Sequence, residues 1–132
     1  MTTTMAPEET LDRRLAAKIG TIVITRHGQP YADRKVRIDR EGYRAWWKNY
    51  DLARLHPDER PPEKLHTLAR SSDVIFASTL ARAMHTAEML ADGREIITDP
   101  VFVEAPLPPP AIFGKRSPRA WGVWSRAAWW LG

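Results

Sequence analysis

Two short apolar runs constrain this chain more than any other feature. Ile22-Val23-Ile24 and Val74-Ile75-Phe76-Ala77 contain no polar residue, and each stops abruptly, the first at Thr25-Arg26-His27-Gly28 and the second at Ser78-Thr79. A strand with one wet face alternates apolar and polar residues, whereas an unbroken β-rich run suits a strand covered on both faces, as in a parallel sheet flanked by helices. A third patch, "EIITDPVFVEA", predicts a short strand near Ile96-Ile97.

Helical patterns separate these runs. In "REGYRAWWKNYDLARL", Tyr43, Trp46, Trp47 and Tyr50 recur at spacings of three and four, the signature of an amphipathic helix. "HPDERPPEKL" breaks the chain and restarts it at Pro62 or Glu63, with Leu65 and Leu68 in the next helix. After the second run, Leu80, Ala83, Met84, Ala87, Leu90 and Ala91 form one helical stripe, with Ser78 or Thr79 expected to cap its start and Gly93 to end it. "PLPPPAIFG" reads as a proline-rich loop and "RAWGVWSRAAWWLG" as an aromatic, helical tail. Residues 1–20 read as an N-terminal arm, with a short helix after Ala6-Pro7 carrying Leu11, Leu15 and Ile19, and residues 21–132 as one domain. The order strand, helices, strand, helix, strand predicts an α/β fold with a largely parallel sheet.

Composition excludes several chemistries. The chain has no cysteine, so disulfides, thiolate metal sites and thiol nucleophiles are out of reach, and a reducing, cytoplasmic setting is expected. No apolar run reaches the roughly 20 residues that span a bilayer, and the first residues lack the apolar core of a secretory signal. Twenty Lys and Arg against sixteen Asp and Glu leave a formal charge of +4, which suits an anionic partner without specifying one. A nucleic-acid partner is not expected, because Arg and Trp are not interleaved on one element and no binding motif is present.

Ligands of parallel α/β sheets bind beyond the carboxyl ends of the strands. That rule brings Arg26 and His27, after the first run, towards Arg82, which follows the second. Two guanidinium forks match phosphate oxygens and stay charged at any working pH. Two neighbouring cations also disfavour an imidazolium, so His27 is expected to be neutral and nucleophilic. Gly28, without a side chain, is expected to let the backbone come close to the anion.

The stretches "IVITRHGQP" and "DVIFASTLARAMHTAEML" together resemble the histidine phosphatase superfamily, the phosphoglycerate-mutase-like proteins. That family's marks are a strand ending in Arg-His-Gly and a second strand leading to Ser-x-Leu-x-Arg-Ala-x-x-Thr-Ala, matched here by Ser78, Leu80, Arg82, Ala83, Thr86 and Ala87. The resemblance implies a three-layer αβα domain and hydrolysis of a phosphomonoester, on a small molecule or a protein, through a phosphohistidine. His27 would be the nucleophile, Arg26 and Arg82 the phosphoryl ligands, and Glu104 the proton donor. It implies no metal and no cofactor.

The resemblance covers roughly residues 20–105, and it lacks one element. The family's second histidine, in a strand-ending His-Gly pair near the C-terminus, has no counterpart. His56 reads as a loop residue, His66 as part of a polar helix, and His85 as lying on the polar side of the Arg82 helix, one turn beyond Arg82. Two readings follow: an incomplete form of a longer phosphatase, or a short, non-catalytic relative that binds phosphate esters or a protein. Trp121, Trp124, Trp129 and Trp130 in the tail favour the first, because indoles seek a core, and left uncovered they form a patch suited to a partner, a homo-oligomer contact or aggregation. No membrane role is expected of so short a tail. The resemblance also implies that residues 30–62 wall the phosphate site, with Trp46, Trp47 and Tyr50 chiefly packing their helix.

Overall fold

The structure is a computed structural model that describes residues 20–132, so the expected helix around Leu11, Leu15 and Ile19 lies outside the described residues. Among the described residues it is mixed α/β, with four α-helices and a two-stranded parallel sheet. Helix α1 spans Arg40–Leu52, α2 Glu63–Arg70, α3 Ala81–Ala91 and α4 Pro118–Leu131, while strands β1 and β2 span Ile75–Ala77 and Ile96–Thr98.

The β1–α3–β2 unit forms as its sequence predicts. Ile75, Phe76 and Ala77 pair in parallel with Ile96, Ile97 and Thr98. Helix α3 makes the crossover and packs on the sheet with Ala87, Leu90 and Ala91 buried, and α2 packs against it. It begins one residue past Leu80 rather than at a Ser78 or Thr79 cap, and Ser78 Oγ instead accepts from Leu80 N–H at 3.4 Å. Asp92 leaves the helix in the left-handed conformation just before Gly93.

The first apolar run does not join the sheet. Among the described residues Thr21–Thr25 pair with no strand, and Ile22 and Ile24 are 86% and 90% exposed. Phe76 and Ile97, on the sheet itself, are exposed too. The pattern states a demand for burial, but a strand also needs a neighbouring backbone to take its N–H and C=O groups.

A second packing centre is aromatic. Asp39 caps α1, its carboxylate accepting from Gly42 N–H at 2.8 Å. Along one face of α1, Tyr43, Trp46, Trp47 and Tyr50 stack in succession, with Trp46 and Tyr50 centroids 4.8 Å apart. Trp121 of α4 completes the stack 5.8 Å from Tyr43 and is wholly buried, its indole N–H donating to the Ile38 carbonyl at 2.8 Å. Ser117 caps α4, and an antiparallel bridge between Ile38 and Arg116 holds the two helix starts together. Of the tail tryptophans only Trp121 enters this core, whereas Trp124, Trp129 and Trp130 stay exposed.

Candidate active site

The segment after the first run is placed by two ties rather than by a sheet. An antiparallel bridge joins Pro30 to Leu55, with Tyr31 N–H donating to the Arg54 carbonyl and His56 N–H to that of Gln29, both at 2.8 Å. Gly28 N–H donates to Thr86 Oγ1 at 3.1 Å, and the Thr86 hydroxyl donates to the Arg82 carbonyl one turn back in α3 at 2.8 Å. One threonine thus latches the Arg-His-Gly segment to the helix that carries Arg82.

These ties bring His27 and Arg82 together across 55 residues of sequence. Arg82 Nε–H donates to His27 Nε2 at 3.2 Å. On the other side of the ring, His27 Nδ1 lies 2.7 Å from the Gly28 carbonyl. A carbonyl only accepts, so Nδ1 carries the proton and Nε2 the lone pair, which is also what an arginine donor requires. A proton on Nε2 would face the Arg82 N–H. His27 is held below its ordinary pKa of 6.5, first because burial penalises the charged ring; Arg82 and Arg26 push the same way, while the Gly28 carbonyl and Glu104 oppose them. Both cations lower it, as their proximity predicts, and burial adds a larger effect in the same direction.

Arg82 is more confined than a free phosphate ligand. It is 1% exposed, and its Nη1 donates to the Tyr50 carbonyl and to Asp51 Oδ1, each at 3.1 Å. Its guanidinium also lies 4.5 Å from the centroid of the Tyr50 ring. A buried charge must be paired, and here the end of α1 supplies the carboxylate, a carbonyl and an aromatic face. The sequence does not single out Asp51, and it offers Tyr50 as a helix-packing residue rather than a partner of Arg82, because both roles arise only from the packing of α1 on α3.

His27, Gly28 and Arg26 border an open cavity of about 400 Å³, and Arg82 is absent from its lining. Gly28 meets its expected need for a missing side chain differently. A Cβ there would stand 2.7 Å from Glu59 Cγ, and the Gly28 N–H is already committed to Thr86. Glu104 is exposed and lies on a neighbouring cavity of about 330 Å³ that also touches Arg26. Trp46, Trp47 and Tyr50 line that second cavity as well as packing their helix.

The other histidines stand elsewhere. His85 Nδ1 accepts from Leu55 N–H at 3.3 Å, His56 sits in the loop against Tyr31, and His66 lies on α2. None of the three lines the His27 cavity. Among the described residues, no three His, Asp or Glu side chains gather as a metal-holding group, and no helix is long and apolar enough to cross a membrane. No family model, curated protein or solved structure matches this chain.

Proposed function

We propose that the chain is a histidine-phosphatase-like phosphohydrolase that acts on a phosphomonoester through His27. The observation that carries the reading is the neutral His27 ring, fixed by Gly28 on Nδ1 and offering Nε2 beside Arg82, with Arg26 on the same open cavity. The Nε2 lone pair would attack phosphorus as the ester P–O bond breaks, and the leaving oxygen would take a proton from an acid, assigned to Glu104 by the resemblance. Water would then attack phosphorus, the P–N bond would break, and inorganic phosphate would leave. For attack to begin, a phosphoryl oxygen must draw the Arg82 Nε–H away from the ring. Arg82 would orient the imidazole at rest and neutralise phosphoryl charge during reaction. The parallel β1–β2 pair with α3 on one face supports the finer three-layer αβα reading, in which a further layer covers Phe76 and Ile97.

One observation favours the second reading, a binder that does not turn over. Arg82 is buried and tied to Asp51, so it cannot close freely around a phosphate. The two readings separate with p-nitrophenyl phosphate and a chemical trap. The hydrolase predicts turnover by the wild type, a loss of about 100-fold or more in His27→Ala, and an acid-labile phosphoryl group on His27 after rapid quenching. Equal rates in wild type and His27→Ala would overturn it. Phosphate binding without turnover or a labile adduct would leave the binder.

A further inference from the structure

Helix α4 is apolar on the side that ordinarily meets water. Its inner side carries Trp121 and Ser125 into the aromatic core, and a helix packed by one face on a core turns charged and polar residues outward. Here Val123, Trp124, Ala127, Trp130 and Leu131 recur along the outer side at spacings of three and four. All five are exposed, Trp130 and Leu131 at 82% and 88%. Trp129 and Phe113, the latter in the loop before the helix, are exposed as well. Single exposed apolar residues are ordinary, whereas a continuous row of this kind marks contact with another body.

The charge around the row says what that body is. From Ala105 to Gly132 the chain has no Asp or Glu, and the charged residues there are Lys115, Arg116, Arg119 and Arg126. Arg119 and Arg126, on neighbouring turns of the helix face, border the apolar row and are exposed. Among the described residues none of these four cations forms an ion pair. Apolar rings edged only by cations complement a surface that is apolar within and anionic at its boundary. An anionic bilayer is such a surface: indoles lodge at the level of its headgroups, and its charge attracts Lys and Arg. A second copy of the chain fits less well. In a self-complementary contact it would offer the same acid-free surface and leave the arginines without a carboxylate. No helix among the described residues is long and apolar enough to cross a membrane, but that length does not limit a helix lying in the plane of the headgroups.

We propose that the outer face of α4 docks the protein on anionic membrane surfaces, with Trp124, Trp130 and Leu131 entering the headgroup boundary and Arg119 and Arg126 meeting lipid phosphates. The inference is independent of the phosphohydrolase reading, because vesicle binding is measured without turnover.

The test is co-sedimentation of the full chain with vesicles of phosphatidylcholine alone and of equimolar phosphatidylcholine and phosphatidylglycerol, read together with tryptophan emission. Binding to the mixed vesicles is expected to be about tenfold or more tighter than to the neutral ones, with emission shifted to the blue as indoles leave water. Salt at about 1 M, where the Debye length is about 3 Å, should remove most of that preference. Trp130→Ser is expected to weaken binding about tenfold or more, and Arg126→Ala to weaken binding to the mixed vesicles alone, by about fivefold. Leu131→Ser probes the same face a second time, and thermal melts check that each variant is folded. No sedimentation with the mixed vesicles would overturn the proposal, as would binding that the folded variants leave unchanged. A dimer seen by light scattering that Trp130→Ser dissolves, without vesicle binding, would give the face to a second copy and overturn it too.

Discussion

At the scale of single residues, the pivotal contact is Arg82 Nε–H to the bare Nε2 of His27. It makes His27 a sensor of acid. The unfolded ring takes a proton near 6.5, while the folded ring, half-buried and beside two arginines, takes it only at lower pH. Between those values the unfolded state holds the extra proton, so stability is full above about 6.5 and falls on acidification until the folded ring also protonates. Denaturation midpoints between pH 7.5 and 5 should therefore fall more steeply for the wild type than for His27→Gln, and parallel curves would refute the assignment. Asp51 is the counterpart for Arg82. Asp51→Asn leaves a guanidinium of 1% exposure without its carboxylate. The expected loss in urea denaturation is about 2–3 kcal/mol, somewhat under that of a fully buried pair because Asp51 keeps part of its hydration.

At the scale of elements, the Arg-His-Gly segment owes its position to hydrogen bonds from a loop and a helix. Thr86 links Gly28 N–H to the Arg82 carbonyl, so Thr86→Val removes an acceptor and a donor while keeping the shape. A cost of about 1–3 kcal/mol is expected from the part-buried Gly28 amide left unpaired, with Thr86→Ser restoring most of it. Amide exchange at Gly28 reports the same event, and protection unchanged in Thr86→Val would show that the latch is not what holds the segment. The β1–α3–β2 unit was legible in sequence because each part carries its own local pattern: an unbroken apolar run, a helical stripe, a second run. The run at Ile22-Val23-Ile24 has the same pattern and a different outcome, since pairing is decided by what lies alongside.

For the molecule as a whole, two clusters share the stability, the α3-covered sheet and the aromatic stack of α1 with α4. Trp121 is the keystone of the second, with no exposed surface and its indole N–H bonded to Ile38. Trp121→Ala should cost about 3–5 kcal/mol, whereas Trp130→Ala, at 82% exposure, should stay within about 0.5 kcal/mol. Thermal melts of the two variants check the contrast, and similar shifts would mean that the tail does not pack as described.

The amino-acid sequence by itself determined the helical stripes, the parallel β1–β2 pair and the residues that could meet at a strand end, because periodicity and residue chemistry are local properties. Only the tertiary structure decided that Asp51 and Tyr50 would hold Arg82, that Thr86 would anchor Gly28, and that Arg34, Lys35 and Arg119 would converge on one cavity. Those contacts join segments about thirty to eighty residues apart, and their energy comes from closing a fold around buried charge, which no local window of sequence encodes.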